Sequence, residues 1–262
     1  MALLLIAAVA FLASVLTLYS GFGLGTVLLP AFALFLPAPV AVAATGVVHL
    51  LNNLFKGILL RNLADWRTLI RFGLPAIPAA VGGAWLLSLL GSTPRLFEFR
   101  AFGSAFGPTG AGLVIGLFMI AFALLELQPW FQRLRAPRRL MPLGGLATGF
   151  FGGLTGQQGA LRSMFLLKSG LDPQHLVATG AMIAILVDLS RVATYAAAFS
   201  QMDLDPVGRE GLLVVAGALS AFAGAYLGTR FLSKTTIGTV RTAVALLMLV
   251  IGAALAGGLL GS

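Results

Sequence analysis

The chain has 262 residues, of which 59% are hydrophobic and 10% charged, and it contains no cysteine. A soluble domain carries about 25% charged residues, so a water-soluble globular fold is excluded, as are a disulfide framework, thiol catalysis and a thiolate metal site. Seventeen Lys and Arg against eight Asp and Glu give a net charge of +9; because the basic residues fall in short loops between apolar runs, the excess reads as membrane orientation rather than as a nucleic-acid surface.

Runs near the roughly 20-residue length that spans a bilayer fill the sequence and leave no room for a soluble domain. The first, MALLLIAAVAFLASVLTLYSG, lacks the basic stretch of a cleaved signal peptide and is too long for one, so it is expected to stay in the mature chain. Residues 2–36 are interrupted by Gly21, Gly23 and Gly25 and stopped by Pro30, Pro37 and Pro39. Each such glycine weakens a helix by about 1 kcal/mol relative to alanine, so a broken helix or hairpin is predicted here. Full spans are predicted over 40–60, 69–90 and 106–127, with Arg61 and Arg67 in the first connection. The segment PWFQRLRAPRRLMP, with Arg133, Arg135, Arg138 and Arg139, is the most basic loop and the natural midpoint. Beyond it GGLATGFFGGLTGQQGALRSMFLLKSG is again apolar and again broken by glycine. Spans over 173–199, 212–231 and 240–260 complete the chain, the first two separated by a loop with Asp203, Asp205, Arg209 and Glu210.

The halves follow the same order of events. At an offset of 134, Gly25 falls on Gly159, Pro39 on Pro173, and Ala44-Thr45-Gly46 on Ala178-Thr179-Gly180. A duplication is therefore predicted: a first transmembrane repeat over 1–128, a basic central loop over 129–141 and a second repeat over 142–262. Placing the loops near Arg61, Arg135 and Lys234 in the cytoplasm and the loop at Asp203 outside requires each half to cross an odd number of times. A glycine-broken hairpin followed by three spans has that parity, which makes the repeats inverted. The expected fold is thus an all-α polytopic membrane protein with two inverted repeats.

A helix that breaks inside a membrane leaves backbone N–H and C=O groups that must face protein, water or a substrate. Helix N-termini carry free N–H donors and about half a positive charge, so two glycine turns meeting at the midplane form a cradle for a small anion. Gly23, Gly25 and Thr26 are candidates from the first half, and Thr155, Gly156, Gln157, Gln158 and Gly159 from the second; glycines that merely permit close helix packing are the structural alternative. Arg162 either supplies a planar fork of donors for an oxyanion, or snorkels to the interface or pairs with an acid. Thr45, His49, Asn52, Asn53 and Lys56 recur at i, i+4, i+7, i+8 and i+11, on one helical face, and read as a lining of the translocation route or as interhelical hydrogen bonding. Thr179 is the second-half counterpart of Thr45. His49 is either a buried neutral imidazole or a proton carrier, and Lys56, near its span's end, is expected to anchor at the interface. Asp188, Arg191 and Tyr195 fall at i, i+3 and i+7; Asp188 and Arg191 can neutralise each other, and proton coupling is the alternative role. No HExxH, GxSxG or P-loop occurs, and His49 and His175 lie in separate segments, so neither a metal site nor a cofactor is expected.

The motifs GFGLGTVLLP followed by PAPVAVAATG, and GGLTGQQGALRSMFLLKSGL followed by ATG and VDLSR, resemble the TauE/SafE family of membrane permeases, often labelled sulfite exporters, over nearly the entire chain. The resemblance implies a bacterial plasma-membrane transporter of small anions, typically sulfite or organosulfonates, with its glycine motifs on Gly21, Gly23 and Gly25 and on Gly156 and Gly159. Leu24 in the first motif, and Gln157 and Gln158 in the second, depart from the glycine-richer family pattern. The expected function is export of a small anion by alternating access, with the bilayer, a coupling ion such as the proton and a homodimeric copy as partners. An integral-membrane enzyme acting on a lipid-linked or phosphorylated substrate, and a membrane subunit that transports nothing, are the competing readings.

Overall fold

Proline, glycine and short polar caps set the element boundaries in the computed structural model, which describes residues 1–20, 24–101, 104–167, 169–199, 208–231 and 237–260. The first broken run forms α1 (Ala2–Ser20) and α2 (Leu24–Ala33), and α3 (Ala38–Leu60) starts behind Pro37. Helix α4 (Trp66–Gly91) is capped by the Asp65 carboxylate, which accepts from the Thr68 amide at 2.8 Å, an interaction suited to the unpaired N–H groups of a first turn. A short hairpin of β1 (Phe99–Ala101) and β2 (Ser104–Phe106) precedes α5 (Gly110–Leu127), so that span begins later than the sequence suggests. The Thr109 hydroxyl caps α5 by accepting from the Gly112 amide at 3.0 Å.

The basic central loop contains the single-turn helix α6 (Pro129–Arg133) and leads into α7 (Met141–Thr155). Gly156, at φ 75°, ends α7 in a left-handed conformation that glycine adopts without steric cost, and α8 (Gly159–Leu166) begins three residues later. The long helices α9 (Pro173–Phe199), α10 (Arg209–Phe231) and α11 (Ile237–Ala256) follow. Among the described residues, five segments are long and apolar enough to cross a membrane: Ala38–Leu63, Trp66–Gly91, Gly110–Leu127, Gln174–Ala198 and Glu210–Leu227. The predicted breaks correspond to the α1–α2 and α7–α8 junctions, although Gly21 to Gly23 lie outside the described residues.

Small residues determine which helices touch. Gly145, Gly149 and Gly153 of α7 sit against the backbone carbonyls of Phe72, Ala76 and Ala80 of α4; a Cβ on any of the three would lie 2.1 to 2.2 Å from the carbonyl oxygen it faces. That spacing of four residues on both helices is a ridge-to-ridge contact in which α4 and α7 run in the same direction, close enough that no larger residue fits. Helix α10 lies along α1 in the same sense, with Gly217 near Ile6 and Gly224 against the Phe11 carbonyl. Helices α5 and α11 cross antiparallel at Gly116 and Gly252. At the centre, α3 and α9 also run antiparallel: Gly46 meets Arg191 and Val192, His49 meets Asp188, and Gly57 meets Met182 and Ile185. The main apolar core, which includes Leu28, Phe32, Val48, Leu87, Ile115 and Met248, draws on α2, α3, α4, α5 and α11.

Candidate functional site

The α7–α8 break is held by a stripe of side chains one turn apart on α9. The last carbonyls of a helix have no intrahelical partner, and buried in an apolar setting they need one. Arg191 donates from Nη1 at 2.9 Å to the Gly152 carbonyl, which also accepts from the Gly156 amide at 3.0 Å, and the Tyr195 hydroxyl donates to the Gly153 carbonyl. A fixed cation at that end of α7 also complements its dipole. Arg191 is held in turn by Asp188, which accepts from Nε at 2.9 Å and lies 2.8 Å from Nη2. Both side chains are fully buried.

Asp188 joins three segments. Its Oδ1 also accepts from Gln158 Nε2 at 2.8 Å, at the start of α8, and its Oδ2 lies 2.6 Å from His49 Nδ1 on α3. A carboxylate only accepts, so Nδ1 carries the hydrogen. His49 and Asp188 sit near the middle of their long helices, which puts this charged node deep in the bilayer when those helices span it. Burying such groups is costly unless they are paired, and here the histidine, the arginine and the glutamine amide surround the one carboxylate.

The two broken segments meet at this node. Gly25, the second residue of α2, lies so close to Gly156 that a Cβ on it would stand 2.9 Å from the Gly156 carbonyl oxygen, with Thr45 and His49 at its other side. The structure therefore brings Gly25, Thr45, His49, Gly156, Gln158, Asp188 and Arg191 together. Arg162 stands one turn along α8 from Gln158, whose Oε1 is 3.5 Å from its Nη1. Thr26 is buried in α2, Gly159 opens α8, and Thr155 donates to the Phe151 carbonyl at 3.0 Å inside its own helix. The Thr45 hydroxyl donates likewise to the Ala41 carbonyl at 2.7 Å. Asn52 Oδ1 accepts from Ser14 of α1 at 3.1 Å, joining α1 to α3 and leaving its amide nitrogen without a partner. Thr179 is placed elsewhere: its hydroxyl accepts from the Asp65 amide at 2.9 Å, joining the start of α9 to the turn before α4. Gly23 lies outside the described residues.

Gln157 differs from its neighbours. It is only 4% exposed, yet both polar atoms of its amide lack a hydrogen-bond partner. Leaving both unpaired costs on the order of 1–3 kcal/mol each, so this side chain is suited to a ligand that supplies the missing partners. Lys56 corrects an expectation. It is 8% exposed, so it packs inside the protein rather than extending freely as an interface anchor would. Its place on the stripe with Thr45, His49, Asn52 and Asn53 already puts it on the inward face, but its nearness to the end of α3 hides that signal. Tyr195, at i+7 from Asp188, is likewise visible as a position while its carbonyl partner in α7 is not.

Residues 6–255 match the family model described as Sulfite exporter TauE/SafE. No curated protein matches the chain.

Proposed function

As the chain belongs to the TauE/SafE sulfite exporter family, a family of transmembrane permeases, we propose that it is a secondary transporter that exports a small anion, sulfite or an organosulfonate, across the bacterial plasma membrane. The observation that carries the binding site is Gln157: a buried amide with neither polar atom satisfied, in a break where the first residues of α2 and α8 converge. The starts of α2 and α8 supply backbone donors, Gln157 and Gln158 neutral side-chain donors, and Arg162 full positive charge. Asp188, Arg191 and Tyr195 hold the break in shape, and the His49–Asp188 contact is the candidate coupling point for a proton.

We read the halves, 1–128 and 142–262, as inverted repeats that rock about the α3–α9 contact. The antiparallel runs of α3 with α9 and of α5 with α11 support this reading, because segments related by inversion must point opposite ways. So does the exchange of partners, α7 against α4 and α1 against α10.

Flux of labelled sulfite and of a labelled sulfonate in proteoliposomes tests the function. Vectorial, saturable movement is expected, reduced in Arg162→Ala and in Gln157→Ala. Unchanged flux in both variants refutes the site, and chemical turnover of a lipid-linked or phosphorylated substrate without movement refutes the transporter.

A further inference from the structure

Between Glu126 and Asp172 the sequence holds Arg133, Arg135, Arg138 and Arg139 in the central loop and no acidic residue. The register of Gly145 on Phe72 and of Gly149 on Ala76 sets the first turns of α4, with Arg67 and Arg71, beside the segment that enters α7, so six arginines share one end of the fold. All six are exposed, and among the described residues none of them forms a salt bridge. The acids at this end are used at helix starts: Asp65 caps α4, and Asp172 accepts from the Gln174 and His175 amides at 3.0 and 3.1 Å. Apolar side chains stand among the charges. Helix α6 begins two residues beyond the end of α5, so the exposed Trp130 and Leu134 sit at the level where a span leaves the hydrocarbon, the usual depth of an interfacial tryptophan. The loop is also fastened to α8: the Ala136 amide donates to the Met164 carbonyl at 3.1 Å, and Arg138 donates to the Ser169 carbonyl just beyond that helix. Met164 lies two residues past Arg162.

We propose that the central loop, with the start of α4, docks the headgroups of anionic phospholipids in the leaflet it faces, and that a docked headgroup steadies α8. Membrane orientation alone asks only for positive charge somewhere in the loop. Here the charge is mounted on a backbone that hydrogen bonds hold against the end of α8, and the guanidinium forks match the phosphate oxygens of a headgroup. Arg135 is braced through Nη1 on the Gln132 and Leu134 carbonyls, both at 2.8 Å, which leaves its other nitrogens for a phosphate. An acidic soluble polypeptide would satisfy the arginines too, but it would not account for Trp130 and Leu134 exposed beside the end of a span. The proposal does not depend on what the protein transports.

The test uses the full chain in detergent, titrated with short-chain phosphatidylglycerol or phosphatidylcholine and followed by melting temperature and by amide exchange across α8. Phosphatidylglycerol is expected to bind at least about tenfold more tightly than phosphatidylcholine, to lose that advantage as salt is raised, and to slow exchange in α8. The double variant Arg133→Gln, Arg135→Gln should weaken phosphatidylglycerol binding at least about tenfold, since each basic side chain beside an anionic surface is worth about a factor of five, and leave phosphatidylcholine binding as it is. Equal affinity of the wild type for the two lipids overturns the proposal, as does a double variant that binds like the wild type or bound phosphatidylglycerol that leaves α8 exchange unaltered. Saturation by a poly-glutamate peptide with no gain from phosphatidylglycerol would assign the surface to an acidic polypeptide and likewise overturn it. Should the double variant fail to fold, Arg139→Gln and the salt titration of the wild type decide the same question. Sulfite flux without a lipid preference removes the docking surface and leaves the transporter; a lipid preference in a protein that moves no anion does the reverse.

Discussion

At the scale of single residues, Gln157 and Asp188 make opposite demands. Gln157 has no partner within the described protein, so Gln157→Ala removes no internal bond. Thermal stability in detergent should be unchanged or slightly higher, while anion flux falls roughly tenfold or more, the worth of one good contact to a charged ligand. A variant that loses stability and flux in parallel would show the glutamine to be structural. Asp188 instead joins α3, α8 and α9, and its loss leaves Arg191 buried without a counter-charge. Asp188→Asn should therefore cost about 3–5 kcal/mol, read as a large fall in the detergent melting temperature. The i, i+3 spacing of Asp188 and Arg191 is legible in the sequence because it is local. Their contacts to His49 and to the Gly152 carbonyl are not, since these join residues 139 and 39 apart along the chain.

At the scale of elements, the α4–α7 contact depends on the absence of side chains. A Cβ on Gly149 would sit 2.2 Å from the Ala76 carbonyl oxygen, whereas one on Gly82, on the outer face of α4, meets nothing within 4 Å. Gly149→Ala should force the helices apart and destabilise the protein by about 1–3 kcal/mol, and Gly82→Ala should be neutral or stabilise it by a few tenths up to about 1 kcal/mol. Equal melting temperatures for the two variants would contradict the close contact. The cap of α4 gives a pH signature. Hydrogen bonds from Thr68, first through its side chain and then through its backbone amide, hold the Asp65 carboxyl below its ordinary value. A carboxylate favoured in the folded state contributes stability at pH values above its unfolded value, near 4, and that contribution disappears as the pH falls through its lowered folded value. Asp65→Ala should thus cost about 1 kcal/mol at neutral pH, and the difference from wild type should vanish in acid. A pH-independent difference would assign the loss to something other than the carboxylate.

At the scale of the whole molecule, the helix directions lead to a topology that chemistry can check. With α3 antiparallel to α9 and α5 to α11, the ends of α3 and α5 and the start of α11 point to one face, and the start of α5 and the end of α9 to the other. The chain has no cysteine, so single cysteines at Ala136 and Ser233 should react with an impermeant thiol reagent from one side, and those at Ser92 and Gln201 from the opposite side. Labelling of positions 201 and 233 from the same side would end the inverted arrangement.

The sequence alone shows that the chain lives in a bilayer, where it breaks and which residues share a helical face. Those properties follow from composition, from glycine and proline chemistry and from a period of 3.6, all of them local. It also placed Lys56 on the inward stripe, yet its position near a helix end read as an interface anchor. Tertiary packing alone brings side chains of α9 to the Gly152 and Gly153 carbonyls at the α7–α8 break, engages Asp188 from three sides and buries Lys56. The physical reason is that a buried polar group must find its counterpart wherever packing brings one, and helix packing here is set by glycine ridges whose partners no local pattern encodes.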